Sequence, residues 1–197
     1  QICAHLQLKA NGQKNLKQNK TNKKFIYLIS PNNIKDKSFY NSLDLVLSSG
    51  KISFFQLRLK KERYLNKLII GKKIKRICKK YKVKFLINDD PLLAKKLNAD
   101  GCHLGQKDMN LIKARKILKK KIIGVTCHNS INLAKIAIKA GADYLAFGAF
   151  YSSKTKTVKY RASLKILKSI KEITLLPIVA IGGIKLNNYK KLLLNKA

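Results

Sequence analysis

Carboxylates are scarce in this chain, and two of them directly follow short apolar runs. The 197 residues include 44 Lys and Arg but nine Asp and Glu, and four of the nine fall between residues 88 and 108: Asp89, Asp90, Asp100 and Asp108. Asp89 follows the apolar run 85–87, and Asp108 closes the segment 102–108. Mg²⁺ takes one or two carboxylates and shares phosphate oxygens with a substrate, so this placement favours a divalent cation over a salt bridge.

Helix capping is the alternative for both of these aspartates, since each also precedes a possible helix. We interpret Asp90, which stands before Pro91, as a helix cap. Asp100 lies in Ala-Asp-Gly and is interpreted as a turn former. The metal prediction therefore concerns Asp89 and Asp108 alone.

A cluster of an amide and two cations follows the run 52–55. In an extended segment alternate residues share a face, so Gln56, Arg58 and Lys60 can point together. Such a set is suited to a phosphate or pyrophosphate. The alternative is two solvent-exposed cations in a chain that has many.

Later segments add hydroxyls, glycines and histidines. The loop Ser153-Lys154-Thr155-Lys156 can hold a second anionic group, although surface loops often have this composition. Backbone N–H groups at Gly182 and Gly183 can approach an anion closely, but a tight turn explains them equally well. His103 and His128 are more often satisfied core or loop histidines than catalysts.

The elements that must position these residues alternate along the chain. Apolar runs predict seven strands, several of them buried on both faces, at 25–30, 52–57, 83–88, 101–104, 122–126, 144–148 and 177–181. Helical periodicity lies between them, over 65–80, 111–118, 131–140 and 163–173. We predict an α/β fold, a (β/α)₈ barrel over 25–197 that stops before its last strand, preceded by a polar tail over 1–24. A doubly wound sheet is the alternative, but a barrel brings every strand end to one face.

Composition narrows the class of protein. No run of 18 apolar residues occurs, and the N-terminus, which begins with Gln rather than Met, lacks a signal pattern. The four cysteines form no Cys-x-x-Cys pair, and we interpret Cys102 and Cys127, which lie in apolar runs, as small buried thiols. A reducing, cytoplasmic setting fits this interpretation.

The net charge of +35 raises the possibility of nucleic-acid binding. Arg, which recognises bases and phosphates with its bidentate fork, occurs only five times, and the lysines are spread over nearly every polar helix face. We interpret the charge as solvated surface, with a polyanion-binding face as the alternative.

The motifs taken in order resemble the thiamine phosphate synthase family, over about residues 27 to 184. The series is Gln-x-Arg-x-Lys, Asn-Asp, Ala-Asp-Gly-x-His-Leu-Gly-Gln-x-Asp, Gly-Val-Thr-x-His, Gly-Ala-Asp-Tyr with a Thr-Lys ending, and Pro-Ile-Val-Ala-Ile-Gly-Gly-Ile. The resemblance implies a (β/α)₈ barrel that joins an aminopyrimidine-methyl diphosphate to a thiazole phosphate, with Mg²⁺, and releases pyrophosphate. The implied chemistry is dissociative, so no strong nucleophile or base is required.

The resemblance also implies roles for individual residues. The pyrimidine diphosphate would be held by Gln56, Arg58, Lys60 and Asn88, and Mg²⁺ by Asp89 and Asp108. Thr126, where the family usually has Ser, would lie near the pyrimidine and diphosphate. Ser153, Thr155 and Gly183 would contact the thiazole phosphate, with Lys154 in the same loop and Lys156 on the pyrophosphate. Arg58, Thr126 and Lys156 are the predicted catalytic residues.

Departures from the family leave alternatives open. The chain ends at Ala197, within the helix after Ile184, and lacks the family's last strand with its phosphate-binding turn, so we expect a fragment or an open barrel. A thiazole tautomerase of the TenI group is the alternative enzyme, with His128 as the residue to watch. The substrates are expected to be small molecules, and a homo-oligomer is possible.

Overall fold

The apolar runs lie side by side as parallel strands, with the amphipathic segments packed outside them. The structure is a computed structural model that describes residues 2–4, 26–34, 36–152 and 160–195. Its elements in chain order are β1 (Ile2–Ala4), β2 (Ile26–Ile29), α1 (Lys37–Ser48), β3 (Ile52–Leu57), α2 (Tyr64–Lys80), β4 (Lys84–Asn88), α3 (Pro91–Lys96), β5 (Gly101–Leu104), α4 (Leu111–Leu118), β6 (Ile122–His128), α5 (Ile131–Lys139), β7 (Tyr144–Gly148), α6 (Leu164–Ile173), β8 (Ile178–Ile181) and α7 (Tyr189–Leu194).

The predicted α/β barrel is confirmed. Strands β2 to β8 pair in parallel, each with the next along the chain, and the sheet closes in the order β1 to β8. All seven predicted strands are present, with bounds that differ by two residues or fewer. The doubly wound sheet was the wrong alternative.

The closing strand was not predicted. The tail prediction is wrong for Ile2–Ala4, which pair antiparallel with β2 and, through Ala4 and Ala180, with β8. Because β1 closes the sheet between β2 and β8, the alternative of an open barrel is wrong. The facing edges of β2 and β8 offer backbone N–H and C=O groups that any extended segment can bond, and Ile-Cys-Ala is a short segment able to do so.

Helix starts follow from local capping. Asp90 is confirmed as a cap, since its carboxylate accepts from Leu93 N at 2.9 Å. Helix α1, which the periodicity did not predict, begins after Asp36, whose carboxylate accepts from Phe39 N at 3.2 Å.

Among the described residues, no helix combines the length and the apolar character needed to cross a bilayer.

Strand alternation produces two apolar layers. One fills the barrel interior around Tyr27, Phe54, Leu86 and Tyr144. The other, much larger, lies between the sheet and its helices, where outward side chains such as Phe85 pack. Because successive side chains point to opposite faces, the polar residues two positions beyond an interior side chain also face the barrel axis.

Two aspartates fasten the N-terminal end of the barrel. The Asp100 carboxylate accepts from Phe85 N at 2.9 Å, which ties β5 to the start of β4. The Asp143 carboxylate does the same for β7 and β6, accepting from Ile123 N at 2.7 Å and from the Arg115 guanidinium at 2.6 Å. The interpretation of Asp100 as a turn former is too narrow, since it also joins two strands.

Candidate functional site

The C-terminal ends of the parallel strands bring the predicted site residues of β3 to β6 to one mouth of the barrel. Asn88 at the end of β4 lies in register with His103 on β5, and Gln56 on β3 lies in register with Ile29 on β2. Thr126 follows on β6. Convergence on this face is what a closed parallel barrel provides, and active sites in such barrels lie at this end.

Backbone geometry holds Asp89 and Asp108 in place. Asp89 has a φ of 65°, in the left-handed region, and its N–H donates to His103 O at 2.8 Å. Asp108 folds back on the turn after β5, where its carboxylate accepts from Gly105 N at 2.6 Å. Neither carboxylate caps a helix. These turns direct both side chains to the same point, and their carboxyl groups are hydrogen-bonded to each other.

The pKa values of the two carboxyl groups are shifted in opposite directions. Burial and the neighbouring Asp89 raise the pKa of Asp108 above its usual range. Burial disfavours the charge on Asp89 too, but hydrogen bonds from Asp108 and Lys60 outweigh it and hold the pKa of Asp89 below its usual range. The pair therefore retains one proton, on Asp108, more readily than two separate carboxyls would.

The donor set fits a hard cation. Two carboxylates that share a proton can share a divalent cation instead, and oxygen ligands suit Mg²⁺. Within the described ranges, no third His, Cys, Asp or Glu joins them to form a metal-binding cluster. The remaining ligands of a Mg²⁺ ion here would be waters and substrate oxygens, as is usual for that ion.

Two of the predicted cations, Lys60 and Arg58, lie on the rim of the mouth. Lys60 Nζ is 3.1 Å from the Asp89 carboxylate, and half of the Lys60 side chain is exposed. The Arg58 guanidinium donates to the Asn32 side chain, while Arg58 N donates to Ser30 Oγ at 2.8 Å. Arg58 is thus anchored to the loop after β2. It follows β3, the neighbour of β4 in the sheet, and Asp89 follows β4.

Polar side chains also form a continuous chain inside the barrel, which the sequence did not predict. Gln56, 2% exposed, donates from Nε2 to the Tyr27 hydroxyl at 2.8 Å. The Tyr27 and Tyr144 hydroxyls are 2.9 Å apart, and the Tyr144 hydroxyl is 2.8 Å from His103 Nδ1. His103 Nε2 is 2.8 Å from Thr126 Oγ1.

His103 is a buried histidine with both ring nitrogens bonded, as the sequence suggested for a core histidine. Burial lowers the pKa of His103 to about 4, despite the favourable charge of Asp89, so the ring is neutral at physiological pH. What the sequence missed is its link to Thr126. The available signal was strand alternation, since Gly101, His103 and Gly105 share the inward face of β5 and its following turn.

Steric contacts explain why residues 182 and 183, after β8, are glycines. Gly182 and Gly183 have φ values of 98° and 64°, and a Cβ on Gly183 would lie 2.4 Å from Ser152 O. Gly182 O accepts from Tyr151 N at 3.0 Å. The glycines therefore let the loops after β7 and β8 pack together.

The remaining predicted residues lie at or outside this region. Ser153, Lys154, Thr155 and Lys156 fall outside the described residues. His128, with a φ of 54°, stacks on Tyr160 with 4.3 Å between ring centroids. The histidine therefore stands beside the end of the loop that precedes α6.

A cavity of about 460 Å³ opens beside Asp89. Its walls include Leu57, Ile87 and Leu93, which belong to the layer between sheet and helices, together with Lys60. The cavity thus lies next to the barrel axis rather than on it. We place the chemistry at the mouth, where the charged and hydrogen-bonding groups are.

Comparison with known proteins identifies similar chains. A family described as Thiamine monophosphate synthase matches residues 26–197. The chain is 85% identical over 182 residues to a thiamine-phosphate synthase of Pelagibacter ubique, covering 92% of this chain and 88% of that protein. It is 44% identical over 153 residues to a thiamine-phosphate synthase of Marinobacter nauticus, covering 77% and 68%.

A solved structure agrees in fold. The thiamine phosphate pyrophosphorylase from Pyrococcus furiosus superposes with a TM-score of 0.74 at 30% identity, covering 86% of this chain and 80% of that one. The family match begins at the first residue of β2 and includes every later element.

Proposed function

The chain belongs to the thiamine monophosphate synthase family, and from that premise we propose how its barrel mouth performs the reaction. Thiamine-phosphate synthase, a transferase of thiamine biosynthesis, is the function on which the family match, the relatives and the similar structure agree. The substrates we propose are the pyrimidine-methyl diphosphate and the thiazole phosphate that the sequence resemblance implies. The observation that carries the mechanism is the Asp89–Asp108 pair, with Lys60 Nζ 3.1 Å from the Asp89 carboxylate.

Asp89 and Asp108 would hold Mg²⁺, which when bound stabilises the negative charge of the diphosphate and of the departing pyrophosphate. The support is the shared hydrogen bond of the two carboxyl groups and their oxygen-only donor set. Asp89 also orients Lys60, whose Nζ lies 3.1 Å from its carboxylate, so that the lysine can bind the diphosphate as well.

The reaction we propose is dissociative. The C–O bond between the pyrimidine methylene carbon and the diphosphate breaks, and both electrons leave with pyrophosphate. The resulting cation is captured by the lone pair of the thiazole nitrogen, which forms the C–N bond. Arg58, Lys60 and Lys156 stabilise the charge that develops on the leaving group, and holding both substrates in line supplies much of the remaining acceleration.

Binding roles complete the proposal. Gln56, Asn88 and Thr126 would orient the pyrimidine diphosphate, because all three lie at strand ends on the mouth. Ser153, Lys154, Thr155 and Gly183 would hold the thiazole phosphate. For Gly183 the support is its place in the turn after β8, which packs closely against the loop after β7.

A coupling assay with both substrates tests the proposal. We expect thiamine phosphate and pyrophosphate in equal amounts, and loss of both products when Mg²⁺ is removed with EDTA. Undiminished turnover in EDTA would refute the metal role. Conversion of the thiazole phosphate between isomers without C–N bond formation would favour the tautomerase alternative.

Location and partners are also part of the proposal. A cytoplasmic location is supported by the buried free thiols of Cys78, Cys102 and Cys127. We propose small molecules as the partners and solvated lysines as the reason for the charge of +35. A homo-oligomer stays a prediction, to be checked by analytical ultracentrifugation.

A further inference from the structure

Five side chains form an unbroken hydrogen-bonded chain across the barrel interior, running Gln56, Tyr27, Tyr144, His103, Thr126. We propose that Tyr27 and Tyr144 are positioning residues, which fix the atoms that Gln56 and Thr126 present to the substrates. This inference deepens the proposed function and rests on it for the identity of the substrates. The hydrogen-bond direction within the chain can be tested without them.

The proposed direction of the chain starts at its first member. Gln56 donates to the Tyr27 hydroxyl, and in the proposed direction Tyr27 donates in turn to the Tyr144 oxygen. In the same direction Tyr144 donates to His103 Nδ1, which accepts. A neutral imidazole that accepts at Nδ1 carries its hydrogen on Nε2.

The last bond determines how Thr126 acts. Because His103 Nε2 donates, Thr126 Oγ1 accepts, and the hydroxyl hydrogen of Thr126 is free to point into the mouth. At the other end, Gln56 keeps its carbonyl oxygen as an acceptor. The network therefore makes Thr126 a donor, for an anionic oxygen or a ring nitrogen, and makes Gln56 an acceptor, for an amino group.

Packing below the mouth is built around this chain. Tyr144 is 1% exposed, and its ring centroid lies 5.6 Å from that of His103. A Cβ on Gly124, two positions before Thr126, would lie 1.8 Å from Tyr144 Cζ, so this strand position admits the tyrosine ring because it is glycine. Tyr27 stacks on Phe54 with centroids 5.7 Å apart.

A purely structural role predicts different behaviour. Buried polar groups need partners whatever their function, so removing a hydroxyl would lower stability in either case. A positioning role adds two consequences. The tautomer of His103 should change when Tyr144 loses its hydroxyl. The loss of kcat/KM in that variant should also require the hydroxyl of Thr126.

Nitrogen NMR on histidine-labelled protein reads the tautomer directly. The chain has three histidines, and His103→Gln assigns the relevant signal by its disappearance. We expect hydrogen on Nε2 in the wild type and a shift toward Nδ1 in Tyr144→Phe, where the Tyr144 hydroxyl no longer donates to Nδ1. Hydrogen on Nδ1 in the wild type would overturn the proposed direction.

Kinetics test the effect on the reaction. We expect Tyr144→Phe to lower kcat/KM for the pyrimidine diphosphate by about tenfold, the effect of about one hydrogen bond, and Tyr27→Phe to act in the same direction. The KM for the thiazole phosphate should not change. In a Thr126→Val background, Tyr144→Phe should have little further effect, because neighbours in one network are not additive.

Tyr81→Phe is the matched control. Its hydroxyl donates to Asp44 at 2.8 Å, far from the mouth, so it should lower stability alone. Equal kinetics for the Tyr81 and Tyr144 variants, or full additivity with Thr126→Val, would overturn the positioning role. If the wild type forms no thiamine phosphate, the proposed function fails, and the tautomer measurement still decides the network.

Discussion

The two ends of the barrel use aspartate in opposite ways. At the N-terminal end, Asp100 and Asp143 each accept a hydrogen bond from a backbone N–H of the neighbouring strand. At the C-terminal end, Asp89 and Asp108 are turned toward each other. In a chain with so few carboxylates, the first pair is satisfied by the protein itself, and the second pair is the one that we propose binds a cation.

Cations show the same division. Arg115 makes four hydrogen bonds at the N-terminal end, three to backbone carbonyls and one to Asp143. Arg58 at the mouth bonds through its guanidinium to the Asn32 side chain. A guanidinium enclosed by carbonyls stabilises the fold, whereas one held at a rim by a neutral amide keeps its charge for an anion. The comparison predicts that activity and stability can be changed separately.

The largest effect is expected from the double variant Asp89→Asn with Asp108→Asn. Activity should fall by about a thousandfold or more, because both cation ligands lose their charge. The unfolding midpoint in denaturant should change little, since the like-charged pair does not support the fold. Turnover and chemical denaturation on the same samples measure both effects, and turnover close to that of the wild type would remove the metal assignment.

Arg58→Ala should have the next largest effect. We expect a loss of about a hundredfold in kcat/KM for the diphosphate substrate, on the order of 2.7 kcal/mol, as for removal of one transition-state donor. Arg115→Ala is the matched control and should lose stability with kcat/KM intact. An Arg58 effect confined to the thiazole phosphate would contradict the role in stabilising the leaving group.

The sequence predicts the C-terminal end of the barrel better than the N-terminal end. Consecutive apolar residues locate the seven parallel strands, and a strand end followed by Asp89 or Asp108 locates the mouth. The tie from Asp143 to Ile123 could not be predicted, because it depends on which strands become neighbours and in what register. Closure by Ile2–Ala4 is missed for the same reason, since three residues carry no periodic signal.

The interior network lies beyond local patterns as well. Tyr27 and Tyr144 are 117 residues apart, and each alone is typical of an apolar strand. Only the closed barrel brings their hydroxyls within 2.9 Å. By contrast, the Asp90 cap involves residues three apart and was predicted, because its geometry is contained in one turn of chain.

At the N-terminal end, Asp143→Asn should reduce stability without affecting catalysis. The variant weakens the bond to Ile123 N and removes the charge beside Arg115, so we expect a loss of about 1–3 kcal/mol in the free energy of unfolding. The KM values for both substrates should be unchanged. A kinetic defect in folded Asp143→Asn would show that the two ends are coupled.

The smallest effect concerns Asp108→Asn in protein freed of metal with EDTA. The pKa of Asp108 is raised on folding, so the folded state holds that proton more tightly than the unfolded chain, whose pKa is near 3.8. The stability that the protonated Asp108 contributes is fully present below the pKa of the unfolded chain and is lost as the pH rises through the pKa of the folded state. At neutral pH the variant should therefore be more stable than the wild type, by about 0.5 kcal/mol because solvent screens the pair.

Mg²⁺ should reverse this order. A ligand that binds the folded state alone stabilises it in proportion to the logarithm of its concentration over Kd, so saturating Mg²⁺ should raise the unfolding free energy of the wild type above that of Asp108→Asn. Asp143→Asn keeps both mouth carboxylates and should gain from Mg²⁺ as much as the wild type does. Denaturant titrations with Mg²⁺ and with EDTA, at neutral pH and below pH 3.8, measure each step. An equal Mg²⁺ response in Asp108→Asn and the wild type would mean that the two carboxylates at the mouth do not bind the cation together.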